Sequence, residues 1–78
     1  MHFPSREQIA ALQRQYPRGT RVELLGMDDP QAPPMGTRGE VMGVDDAGQL
    51  LVRWETGSSL SLIPGVDSFR IAEKGGRS

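Results

Sequence analysis

Two groups of side chains in this chain could do chemistry. The first is a pair of aspartate doublets, Asp28-Asp29 and Asp45-Asp46, which could hold a divalent cation or act as a hydrolytic carboxylate couple. A calcium loop spaces its acids at alternate positions and closes on a distant glutamate. Neither doublet does so. A hydrolytic couple needs a dry cleft that raises one carboxyl pKa, and 78 residues leave little room for one. Both doublets sit among Pro, Gly and Ala, where aspartates accept hydrogen bonds from their own backbone amides. The run Gly36-Thr37-Arg38-Gly39 resembles a phosphate cradle, but it lacks the Gly-Lys-Ser/Thr ending and a following helix. There is no cysteine, hence no thiol nucleophile and no thiolate zinc site; His2 is the sole histidine. The chain reads as a non-enzyme with no catalytic residue, no metal and no cofactor.

The second group is a set of arginines, Arg21, Arg38, Arg53 and Arg70, that could gather into a phosphate-binding patch. Single-stranded nucleic acid is held by a basic groove with exposed aromatics interleaved. Of the four aromatics, Trp54 and Phe69 fall at core positions and Tyr16 on a helix stripe, which leaves Phe3 free. Charge also opposes this reading. Residues 22–67 carry −6, while residues 1–21 carry +3 and 68–78 carry +2. An acidic body repels phosphates. Pairing of these arginines with Glu23, Glu40 and Glu55 across strands is ordinary sheet chemistry. A nucleic-acid patch built from Arg21, Arg38 and Arg53 is therefore the alternative reading.

Protein contact has two candidate surfaces. One is the stretch Met27, Asp28, Asp29, Pro33, Pro34, Met35. Methionine adapts to irregular partners, and a loop stiffened by prolines loses little entropy on docking. The same loop could instead only close the end of the fold. The other surface is a free strand edge, able to accept a partner strand. Proline-peptide recognition needs a groove of exposed aromatics, which this chain lacks.

These residues need a frame. Ser5-Arg6-Glu7-Gln8 fits a capping box, and Ile9, Leu12 and Tyr16 make one apolar stripe before Pro17 and Gly19 stop the run. The pattern predicts a helix over 5–15. Thr20–Gly26 alternates, with Val22 and Leu24 on one side. Thr37 to about Asp45 is a second strand whose period breaks at Gly43, the mark of a bulge. Asp45–Gly48 and Glu55–Ser58 are hairpin turns. Between them, Gln49–Glu55 turns Leu50, Val52 and Trp54 inward. Ser59–Ile63 follows with Leu60 and Leu62 inward, then Pro64–Asp67 as a tight turn, then Ser68–Ala72 with Phe69 and Ile71 inward. With Val41, these side chains form the expected core. Leu51 and Ile63 face outward beside Met42 or Val44, so the helix stripe is expected to cover the outer wall of strands two to four.

The order predicts a mainly β protein, a small five-stranded SH3-like antiparallel barrel with an N-terminal α-helix. Residues 1–4 form an arm, 5–15 the helix, 20–72 the barrel and 73–78 a polar tail expected to be disordered. No charged segment followed by an apolar run marks a secretory signal, and no apolar run could span a membrane. A cytoplasmic protein, monomer or weak homodimer, is expected.

At these residues the chain resembles an uncharacterised bacterial domain-of-unknown-function family. The shared words are Gly19-Thr20-Arg21-Val22-Glu23-Leu24, Met27-Asp28-Asp29-Pro30, Gly36-Thr37-Arg38-Gly39, Val44-Asp45-Asp46-Ala47-Gly48-Gln49, Trp54, and Leu62-Ile63-Pro64-Gly65-Val66-Asp67-Ser68-Phe69. The likeness covers about residues 16–71 and leaves most of the helix outside. It implies an SH3-like barrel and a setting in phage, plasmid and conjugative-element gene sets. It implies no catalytic residue, cofactor or substrate. The functional expectation is a small accessory or regulatory protein-binding module.

Overall fold

The computed structural model describes residues 4–75. One helix, α1 (Arg6–Gln15), precedes four strands, β1 (Arg21–Gly26), β2 (Arg38–Val44), β3 (Leu50–Trp54) and β4 (Ser68–Glu73). The strands make one open antiparallel sheet in the order β3-β2-β1-β4.

The capping box forms as the sequence predicts. The Gln8 amide donates to Ser5 Oγ at 3.1 Å, and the Ser5 amide donates to Gln8 Oε1 at 2.7 Å. Two amides that a helix start leaves unpaired are thereby satisfied. α1 ends at Gln15 with Tyr16 as its cap, immediately before Pro17.

Alternation along the strands selects the inner face. Val22, Leu24, Val41, Leu50, Val52, Trp54 and Leu62 are each at most 3% exposed and form one cluster. Tyr16, Met27, Val44 and Phe69 pack against it, half-buried. The Tyr16 and Phe69 rings lie 5.6 Å apart at 54°, a tilted aromatic pair. The bulge expected near Gly43 is present. Val41 faces Val52 and Gly43 faces Leu51, so Met42 is the extra residue.

Two expected core residues are not in the core. Ile71 is 37% exposed. Its strand, β4, has only β1 beside it, and the register slips so that Arg21 faces Glu73 while Val22 faces Ile71, which makes Ala72 the extra residue. Leu60 is half-buried and lies outside the cluster. Its backbone is diverted: its amide donates to Ser58 Oγ at 3.4 Å, and its carbonyl accepts the Trp54 indole N–H at 2.8 Å.

The same diversion explains why the segment 59–63 does not form the strand that the sequence predicts there, the fourth of five. Only Leu62 bridges to the sheet, exchanging both hydrogen bonds with Leu50 at 2.8 and 2.9 Å. The next amide, that of Ile63, goes to Asp67 Oδ2 at 2.8 Å. Side chains have taken the backbone groups a ladder would need.

The helix covers less than expected. α1 lies against β2 and the following turn, but none of its residues is buried. Leu51 and Ile63 stay 41% and 40% exposed, and Val44 packs on the core cluster. The polar tail also begins later than expected. Glu73 belongs to β4, and the Gly75 amide donates to the buried Thr20 hydroxyl at 3.1 Å. Residues 76–78 of that tail, and residues 1–3 of the arm, lie outside the described residues.

Candidate protein-binding surface

The loop joining β1 to β2 is pinned at its neck and inside. The Gly36 amide donates to the Leu24 carbonyl at 2.7 Å, and the Leu24 amide to the Thr37 carbonyl at 2.8 Å. Within the loop, Asp29 Oδ1 accepts from the Gln31 amide at 2.8 Å and the Ala32 amide donates to the Asp29 carbonyl at 3.0 Å. This is the self-capping expected of turn aspartates. Asp45 does the same, accepting from the Ala47 and Gln49 amides at 3.0 and 2.8 Å.

The six candidate residues of this loop divide into two kinds. Pro33 is buried and Met27 packs on the core, so these two anchor the loop and do not face a partner. Asp28, Asp29 and Pro34 are exposed, and Met35 is 75% exposed. The anchors hold Met35 in water beside a rigid proline.

The arginines are gathered onto the outer face of the sheet, but not as a free basic patch. Arg21 faces Glu40 on one side and Glu73 on the other, Glu23 faces Arg38 and Arg70, and Arg53 faces Glu40. Glu55 completes the set beside Arg38, its Oε1 accepting the Arg38 amide at 3.4 Å. Read across the sheet from β3 to β4, one row runs Arg53, Glu40, Arg21, Glu73, and the next runs Glu55, Arg38, Glu23, Arg70. The signs alternate in both directions. Ion pairs join Arg53 to Glu40 at 3.4 Å and Arg38 to Glu23 at 3.8 Å, and a second pair joins Arg70 to the same Glu23 oxygen. Two of the three arginines of the nucleic-acid reading, Arg38 and Arg53, therefore already have carboxylate partners. The expected partner Glu55 accepts the Arg38 backbone amide instead, whereas the pairing with Glu23 and Glu40 was legible in the sequence. The complete checkerboard was not, although its signal is present: each strand carries an arginine followed by a glutamate.

Gly39, notable in the sequence only as the end of the run Gly36-Thr37-Arg38-Gly39, also shapes this region. Gly39 is buried in β2 opposite Trp54, and a Cβ there would stand 2.8 Å from the indole and 2.6 Å from Val52. The missing side chain makes room for the ring. A glycine inside a strand pattern is the general sign of such an approach.

An open groove runs between α1 and the β2–β3 turn, lined by Pro4, Leu12, Gly48, Ile63 and Pro64. Val66, further along the same turn as Pro64, is 75% exposed. Among the described residues no three His, Cys, Asp or Glu side chains come together as a metal cage. Among the same residues no helix is long and apolar enough to cross a membrane.

A family model described as "Domain of unknown function (DUF4314)" matches residues 5–72. The chain belongs to this family. The match starts at the Ser5 cap, so α1 is part of the shared domain, and the narrower span of about 16–71 expected from the sequence is corrected. No curated protein and no solved structure matches the DUF4314 chain.

Proposed function

We propose that this DUF4314 chain is a non-enzymatic protein-binding module, cytoplasmic and accessory or regulatory in a phage or other mobile element. We read its architecture as an SH3-like barrel in which residues 59–63 are a fourth strand reduced to the Leu62 bridge. The observation that carries the binding role is the loop: Met35 is 75% exposed while Pro33, two residues earlier, is buried. An apolar side chain held in water on a pinned loop is poised for contact with little backbone ordering cost. Asp28 and Asp29, exposed on the same loop, would favour a basic partner surface.

The competing reading, a nucleic-acid module using Arg21, Arg38 and Arg53, has less support, because the sheet face that carries these arginines alternates in sign. The test is capture of a partner from the host by wild-type protein and by Asp28→Lys/Asp29→Lys and Met35→Ser variants. A partner held by the wild type and lost by the variants, which stay folded, supports the reading. Equal capture by all three refutes the loop. Salt-dependent retention on DNA or RNA would turn the assignment to nucleic acid.

A further inference from the structure

The β4 edge of the sheet is open, and the surrounding chemistry says what would close it. The Leu24 amide and carbonyl both bond toward β2. In an antiparallel sheet such groups alternate sides, so Glu23 bonds toward β4, where it faces Arg70. The same alternation turns the amides and carbonyls of Phe69 and Ile71 away from β1. Among the described residues neither has a backbone partner on that side. Their side chains tell the same story. Phe69 and Ile71 face the buried Leu24 and Val22, yet Phe69 is only half-buried and Ile71 is 37% exposed. Ile71 lacks cover, and Phe69 is covered in part, by the Tyr16 ring and the core cluster.

Charge specifies the occupant further. Glu23 is shared by two arginines, Arg38 and Arg70, and β4 ends the row at Arg70. The next place in the alternation calls for a carboxylate beside Arg70, and the next place in the other row for a base beside Glu73. We infer that β4 accepts an extended segment of another protein, antiparallel, with an acidic residue beside Arg70 flanked by apolar residues over Phe69 and Ile71. A second copy of this chain fits less well. Its own β4 would bring Arg70 against Arg70 in the register that pairs Phe69 with Ile71. The opposite edge, β3, is already engaged through Leu50 to Leu62 and Trp54 to Ser58. Strand addition of this kind takes affinity from main-chain hydrogen bonds and specificity from alternate side chains.

The inference does not depend on the β1–β2 loop, and the Met35→Ser variant should leave it unchanged. The probe is a blocked hexapeptide, Thr-Lys-Val-Glu-Val-Thr, titrated into isotope-labelled protein. At saturation the Ile71 amide should exchange about tenfold more slowly, with shifts centred on Phe69 and Ile71. Replacing the peptide's glutamate by lysine should weaken binding about fivefold or more. Ile71→Pro removes an outward amide that the fold does not use, so it should stay folded and lose the peptide, while Ile71→Thr retains it. An Ile71 amide already protected in the free protein would overturn the inference, whatever the proline variant does. So would equal binding of the lysine peptide, or saturating peptide without added protection.

Discussion

The two faces of one sheet hold this protein in different ways. The inner face presents Val22, Leu24, Val41, Leu50, Val52, Trp54 and Leu62, nearly dry. The outer face presents arginines and glutamates whose signs alternate across all four strands. Burial of a large apolar side chain contributes about 1.5–3 kcal/mol, whereas an exposed ion pair contributes about 0–1 kcal/mol. Stability therefore resides on the inner face. The outer face acts on register: a strand slipped by one residue would carry Arg and Glu into the core and bring apolar groups out. A neutral, alternating surface also leaves no broad single-sign field, which sets this sheet apart from a basic nucleic-acid platform.

Substitutions graded by face put that contrast to the test. Trp54→Ala should cost the most, about 3–5 kcal/mol in urea unfolding, because it empties the centre of the core and strands the Leu60 carbonyl that the indole N–H now satisfies. A variant of undiminished stability would show that the inner face is not the seat of folding energy. Gly39→Ala comes next, at about 1–3 kcal/mol, since its methyl would press on Trp54, Val52 and the Arg53 carbonyl; an unchanged midpoint would mean the ring has slack. Ser5→Ala should lower stability by about 1 kcal/mol through loss of the cap, with reduced amide protection confined to the first turn of α1. Protection lost throughout the sheet instead would tie the helix more tightly to the core than its lack of buried residues suggests. Glu23→Gln should have the smallest effect, under about 1 kcal/mol, despite touching two arginines. That difference should fade toward about 1 M salt, where the screening length is about 3 Å. A large, salt-insensitive loss would place real stability on the outer face.

Much of the inner face could be read from the chain because a strand sends successive side chains to opposite sides. Val22 with Leu24, and Leu50 with Val52 and Trp54, needed no partner to be placed. The capping box, the aspartate turns and the bulge beside Gly43 were equally legible, since each is decided within a few residues. Ile71 and Leu60 were misplaced for non-local reasons. Ile71 lies on a strand with one neighbour, and Leu60 gives its carbonyl to an indole six positions earlier. The loop candidates show the same division. Composition picked out Met27–Met35, but only the packed chain separates the anchors Met27 and Pro33 from the exposed Pro34 and Met35.

By itself, then, the order of residues settles what local geometry governs: the apolar period, the turn aspartates, the helix cap and the alternation of arginine with glutamate along each strand. The fold alone decides which of those charges meet, that Arg70 is left at an edge, and that residues 59–63 make one bridge instead of a ladder. The physical reason is that register and edge exposure depend on strands far apart in sequence. Bulges at Met42 and Ala72 shift that register by a residue, with no effect on the local pattern that announces each strand.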